Sequence, residues 1–279
     1  MPRGPSLAVI DTPPAPPGWE DARADLVRIV DPLGRAVAWL APAYGGRCVG
    51  LAVRPTAERG TAWLQLFDSA DPAALFDGSI DAGCSARCAL VAPDADKLFE
   101  LSRNWRFLER DPTAATLEAL IDRDAPASVR DLVDGLDLRF TAGFDQGSLR
   151  CDLSVQNGGK AEIVLRLGLS VAFAAQPLRD EKGAVDIRLP GQNRGEWGSV
   201  VAPRSVAKLG ANGSPVAIEV ELATGISRLG SDTSPDGETV LLLASAGGEP
   251  DGTVTVGAGA TYDLSLAIAA TPGQRLDVG

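Results

Sequence analysis

Apolar and polar residues alternate with a period of two along most of this chain, the pattern of a strand with one buried face. From Ile163 to Phe173 every odd position is apolar, while the even positions carry Arg166, Gly168, Ser170 and Ala172. Leu149, Cys151, Leu153 and Val155 form another such face, with Arg150, Asp152, Ser154 and Gln156 opposite. Leu136, Leu138, Phe140 and Ala142 alternate in the same way just before it, so Asp145-Gln-Gly-Ser148 predicts a hairpin turn. Val216 to Leu222 and Tyr262 to Ile268 repeat the pattern, as do Val37-Ala-Trp39 and Val49 to Val53 around Pro42-Ala-Tyr-Gly-Gly46. Trp105–Glu109 and Leu117–Ile121 flank Asp111-Pro112-Thr113, a second hairpin signal.

Helical spacing is scarce. Asp94 is placed to cap a short turn through Asp96–Leu101, and Ala127–Val133 predicts another. With 31 glycines and 20 prolines separating many short strands, the economical architecture is all-β, a large antiparallel β-sandwich. Six prolines fall within residues 1–19, which read as an extended arm or a strand on a sheet edge. No break in composition divides the remainder, so residues 20–279 read as a single domain.

Composition narrows the chemistry. The 26 Lys+Arg against 37 Asp+Glu give a formal charge of -11, which argues against nucleic acid or an anionic membrane as partner. The sequence holds no histidine, and this removes Ser-His-Asp triads, His-ligated zinc and imidazole acid–base catalysis together. Cys48, Cys84, Cys88 and Cys151 read as small buried thiols, with a surface Cys84–Cys88 disulfide as the alternative. Neither a secretory leader nor a membrane-spanning apolar run is evident, so the expected location is cytoplasmic. No cofactor motif is present: there is no phosphate-binding G-x-x-x-x-G-K-[ST], and Ser231–Glu238 lacks calcium-loop spacing and reads as a turn.

Three stretches resemble the galactose mutarotase-like, or aldose 1-epimerase, superfamily. Gly34–Leu51 looks like that family's opening hairpin around a Gly-Gly turn. Leu149–Asn157 followed by Leu167-Gly-Leu-Ser-Val-Ala-Phe173 is similar to its "L-x-V-x-V-x-N" strand and "L-G-L-H-P-Y-F" motif. Val256–Tyr262 is similar to the turn before its last strand. The resemblance implies a supersandwich of twisted antiparallel sheets with a sugar bound in a groove on one face. It also exposes departures. The family's general-acid histidine is replaced by Ser170, an earlier histidine falls near Ala82-Gly83, and the only late Glu-Pro that could supply the catalytic base is Glu249-Pro250.

Candidate substrate-binding residues follow. Arg166 and Ser170 share one strand face and lie about 13 Å apart along it. That face lines the groove if the family groove is kept, and is otherwise a solvated surface. Arg103 and Trp105 form a sugar-facing cluster, although Trp105 alternates with Phe107 and so also fits a core position. Arg87 sits where the resemblance implies a substrate arginine, and Trp197 lies in the polar, glycine-rich loop Asn193–Trp197 that suits ligand binding.

The reading that follows is a protein that binds a small carbohydrate or similar polar cyclic ligand without ordinary histidine-dependent epimerase activity. It needs no metal or cofactor, and its oligomeric state is left open. Two other readings stand beside it: a sugar isomerase that uses carboxylates with Glu249 as base, and a structural module whose sheet face binds protein. Ser170 on a groove face should tolerate alanine at under about 1 kcal/mol.

Overall fold

A computed structural model describes residues 13, 15–21, 26–54, 62–68, 82–91, 98–121, 127–190, 199–200, 204–210, 213–247 and 252–272. The strands run in chain order β1 (Val27–Val30), β2 (Ala36–Ala41), β3 (Arg47–Val53), β4 (Leu64–Gln65), β5 (Gly83–Val91), β6 (Leu98–Glu100), β7 (Trp105–Arg110) and β8 (Ala114–Ala119). After helix α1 (Ala127–Val133) come β9 (Leu136–Asp145), β10 (Ser148–Asn157), β11 (Ile163–Ala174), β12 (Ile187–Arg188), β13 (Ser199–Val200) and β14 (Ser205–Leu209). The last five are β15 (Val216–Thr224), β16 (Ile226–Thr233), β17 (Thr239–Ala246), β18 (Thr253–Val256) and β19 (Thr261–Pro272).

Among the described residues these strands make two antiparallel sheets. One follows the order β1-β2-β3-β5-β11-β17-β16-β13, with β4, β6 and β18 pairing at its sides; the other follows β12-β14-β15-β19-β10-β9-β8-β7. The main core lies between them. Leu165, Leu167, Leu169, Val171 and Phe173 of β11 meet Leu138, Phe140, Leu149, Leu153 and Leu266 from the opposite sheet in one buried cluster. The expected hairpin at Asp145–Ser148 joins β9 to β10, with Gln146 and Gly147 at φ 48° and 84° supplying the left-handed turn. At the β7–β8 hairpin, Asp111 accepts hydrogen bonds from the backbone N–H groups of Thr113 and Ala114 and from the Thr113 hydroxyl. These bonds favour the charged form and hold the Asp111 carboxyl below its usual range.

Asn157 explains the end of the strand that carries it. Its Nδ2 donates to Ala161 O at 2.8 Å and Val256 O at 2.9 Å, and its Oδ1 accepts from Gly159 N–H at 3.0 Å. One buried amide therefore pins β10, the start of β11 and the end of β18. Its role is structural.

One local expectation changes. Residues 98–100 form strand β6 rather than a helical turn, with Ala89↔Glu100 and Val91↔Leu98 in register and Leu101 N–H bonded to Cys88 O at 2.8 Å. The open edge of β5 satisfies more backbone groups than a single helical turn would. Residues 15–19 of the proline-rich segment form no strand, and residues 1–12 and 14 lie outside the described residues. Residues 15–19 lie across the outer face of β2 and β3, where Trp19 joins Val37, Trp39, Ala41, Val49, Ala52 and Ala82 in a second buried cluster. This explains why β2 is buried on both faces. Gly50 makes room for the crossing: a Cβ there would stand 2.4 Å from Pro16 Cγ.

The four cysteines are free and buried. Cys84 and Cys88 point to the same face of β5 four residues apart, about 13 Å along the strand, too far for a disulfide. Burial pushes the Cys48 and Cys88 thiols well above their usual range, and a hydrogen bond with Cys84 together with burial does the same for Cys151. Because all four thiols are buried, an aromatic disulfide reagent at mildly alkaline pH should leave them unmodified in the folded protein and modify them together on urea unfolding. A rapidly modified thiol in the native protein would contradict this packing. No helix among the described residues is long and apolar enough to cross a membrane.

Candidate functional site

The outer face of the larger sheet, beside the segment covered by Trp19, carries a cavity of about 440 Å³. Strand register determines what reaches it. Arg87 of β5 pairs with Gly168 of β11, Gly168 pairs with Ser245 of β17, and Ser245 pairs with Arg228 of β16. Directly paired residues project from the same face, so these four form one row across the floor. The neighbouring row contains Glu100, Ala89, Arg166 and Thr253 on β6, β5, β11 and β18. The row on the other side contains Ser85, Ser170, Leu243 and Gly230.

Gly168 is the centre of this grid. Lacking a side chain, it opens the floor between the arginines, and a Cβ there would stand 2.9 Å from Ala244 O. Arg87, Arg103, Arg166 and Arg228 line the cavity together with Glu100 and Ser245. The Nε atoms of Arg166 and Arg228 are buried, so the bases of these guanidiniums sit below the protein surface. Glu100 is anchored by its own loop: its Oε1 accepts from Ser102 N–H at 3.2 Å and from the Ser102 hydroxyl, whose oxygen in turn accepts from Cys88 N–H at 3.2 Å. Guanidinium forks and a fixed carboxylate can bind the hydroxyls and ring oxygen of a polar cyclic molecule.

The structure places the expected residues unequally. Arg87, Arg103 and Arg166, drawn from two strands and a loop, reach this one cavity. Ser170 lies one row away but is 2% exposed, and its hydroxyl is hydrogen-bonded to Ser85 Oγ at 2.7 Å. It faces a buried serine, not an open groove. Trp105 departs further. It belongs to β7 in the opposite sheet, is buried, and donates from Nε1 to Ser102 O at 2.9 Å. Its ring packs edge-on against Phe140 at 6.4 Å and closely over Gly46, so it is a core residue and not a sugar platform. The alternation of Trp105 with Phe107 is the sequence signal that points to this core position. Trp197 and Glu249 lie outside the described residues.

Arg228, Glu100 and Ser245 were not expected here. Arg228 reaches the site only because β16 pairs with β17 and β17 with β11, a lateral order that residue spacing does not encode. Among the described residues, no three His, Cys, Asp or Glu side chains gather in a way that could hold a metal ion.

Comparison with known proteins supplies fold but no sequence relative. No protein-family profile matches the chain, and no curated protein matches it in sequence. Among solved structures, a galactose mutarotase-like protein from Clostridium acetobutylicum superposes with a TM-score of 0.65 at 12% identity, covering 88% of this chain and 95% of that one. A galactose mutarotase related enzyme from Lactobacillus acidophilus gives 0.62 at 9% identity over 91% of this chain and 100% of that one. A putative aldose 1-epimerase from Escherichia coli K12 gives 0.60 at 12% identity over 88% and 99%. Identities this low speak for architecture, and with the two antiparallel sheets and their order they lead to one conclusion: the chain has the galactose mutarotase-like β-sandwich fold.

Proposed function

We propose that this protein binds a carbohydrate or similar polar cyclic ligand in the arginine-lined cavity and lacks ordinary histidine-dependent aldose 1-epimerase activity. The observation that carries the reading is the cavity itself. It has a side-chain-free floor at Gly168, ringed by Arg87, Arg166, Arg228 and Glu100, on the outer face of a mutarotase-like sheet. Its volume of about 440 Å³ lies in the ordinary range for small-molecule sites. The named structural neighbours include a putative aldose 1-epimerase, which favours a sugar as the ligand.

The absence of that family's chemistry rests on residues. Anomer interconversion needs one group to protonate the ring oxygen and another to remove the anomeric hydroxyl proton. No histidine exists to do the first, and the hydroxyl at the matching position, Ser170, is buried against Ser85. A serine hydroxyl does not protonate an ether oxygen efficiently near neutral pH.

Two measurements test the reading. Thermal unfolding with a panel of monosaccharides and their acidic derivatives should reveal a ligand, which at a hundred times its Kd adds about 2.7 kcal/mol of stability. Failure of every sugar to shift the transition would defeat the carbohydrate assignment. Polarimetry on freshly dissolved α-D-glucose and α-D-galactose should show mutarotation at the buffer rate. Acceleration beyond about tenfold, abolished in Glu249→Gln, would replace this reading with a carboxylate-dependent isomerase.

A further inference from the structure

We infer that the outer face of β2 and β3 is a recognition groove for a proline-rich protein segment with an aromatic anchor, kept closed in this structure by the chain's own residues 15–19. The inference stands apart from the carbohydrate reading and concerns a different part of the sheet. The docked segment shows what the groove accepts. Trp19 N–H donates to Pro16 O at 3.0 Å, and Gly18 has φ 82°. Pro16-Pro17-Gly18-Trp19 is therefore a tight turn with proline at its second position and a left-handed glycine at its third. The turn delivers the indole, which is fully buried and stands edge-on to Tyr44 at 5.0 Å. Proline fixes the backbone before docking, so little conformational entropy is lost, and aromatic-lined grooves recognise such segments on this basis.

The groove offers more than this segment uses. Trp63 Nε1 and Gln65 Nε2 are buried and make no hydrogen bond. Both belong to the outer face. Gln65 pairs with Ala52 of β3, and Trp63 packs against the cluster that holds Trp19, with the Arg54 guanidinium 4.3 Å from the centre of its ring. A Cβ on Gly50 would meet Pro16 Cγ at 2.4 Å, Trp39 at 3.0 Å and Gln65 Nε2 at 3.2 Å, so the proline, an indole and the idle amide crowd one point. A buried donor without a partner costs free energy, and an acceptor that reaches it removes that cost. Proline-rich backbone fits this need, because each residue presents a carbonyl while proline brings no N–H that needs a partner of its own. The docked segment sets the direction. Trp19 lies at the Tyr44 end of the groove and Pro16 over Gly50, so a ligand continuing that line passes Gln65 beside Ala52 and then Trp63. Residues 15–19 satisfy neither donor; a partner segment that runs the whole length satisfies both and displaces them.

Fluorescence anisotropy with two labelled peptides tests this: residues 13–21 of the chain, and the same residues extended by a short run of prolines at the amino end. The full chain with Trp19→Ala, its fold checked by circular dichroism, should bind both about tenfold or more tightly than the wild type. In the wild type the tethered segment competes at an effective concentration on the order of millimolar. Gly18→Val, which keeps the indole and opposes the left-handed turn, should raise affinity in the same direction. The extended peptide should bind about fivefold more tightly than the shorter one. Trp63→Phe, added to either released variant, keeps a ring and removes the donor, and should abolish that advantage. Failure of both peptides to bind the two released variants would overturn the groove assignment. Equal binding to the wild type and the released chains would overturn it too, since the peptides would then sit elsewhere. Equal affinity of the two peptides, unchanged by Trp63→Phe, would overturn the partner and leave residues 15–19 as a purely structural element.

Discussion

Gly83→Ala is expected to destabilise the protein by about 3–5 kcal/mol, as a loss of midpoint in urea unfolding followed by circular dichroism. Gly83 opens β5 at φ 62°, where an L side chain alone costs roughly 1–2 kcal/mol. Space is the larger problem. A Cβ at this position would lie 2.1 Å from Cys48 O and 2.9 Å from Val49 Cα, both main-chain atoms of β3. No rotamer change relieves a clash with backbone, so the strands must part. They meet in register at Cys48↔Cys84, one residue beyond the glycine. This junction joins the half of the sheet covered by Trp19 to the half that holds the cavity. Gly34 supplies the control, since it has φ 68° with no atom within 4 Å of its Cβ position. Gly34→Ala should show only the conformational cost, about 1 kcal/mol. Equal losses from the two substitutions would mean that the β3–β5 contact does not determine the effect.

Phe173→Ala should cost about 3–5 kcal/mol by the same measurement. Phe173 is fully buried between the sheets, and its ring stands edge-on to Phe67 at a centroid distance of 5.7 Å. Truncation removes the buried area and the aromatic pair and leaves a cavity that close-packed neighbours fill only in part. Ser170→Ala, on the opposite face of the same strand, should cost less. The sequence alone sets that figure under about 1 kcal/mol, on the premise of an open groove. The buried hydrogen bond to Ser85 raises it to about 1–3 kcal/mol, because the remaining hydroxyl is left without its partner. Similar losses at 170 and 173 would show the strand faces to be exchanged.

The period of two in Ile163–Phe173 was enough to separate core from outer face, because burial of one sheet face imposes that period directly. Turn chemistry placed the Asp145–Ser148 and Asp111–Thr113 hairpins for a similar reason: both are local. Lateral order is not local. β11 lies between β5 and β17, some 80 residues before it and 70 after, and the positions of Arg87 and Arg228 around Gly168 follow from that order alone. Arg166 was found because its own strand placed it on the outer face. Trp105 was read both as a sugar-facing residue and as a core position, because an aromatic residue at a strand start fits either, and the packing against Gly46 and Phe140 decides for the core. The short β6 was read as helical because three residues carry too little pattern to reveal an edge pairing.

The segment around Trp19 also sets an order of events during synthesis. It precedes every strand it touches, yet the surface that receives it is built from β2, β3 and Ala82, together with Tyr44, whose ring meets Trp19 edge-on at 5.0 Å. A nascent chain therefore exposes Trp19 and its prolines well before their docking surface exists, and the segment closes only after more than sixty further residues have emerged. Assembly of the β1–β3 hairpins leads and the segment follows, as local contacts form ahead of distant ones. In refolding experiments the fluorescence of Trp19 reports a late step, and a ribosome-bound chain halted before Ala82 carries an apolar stretch that chaperones can bind.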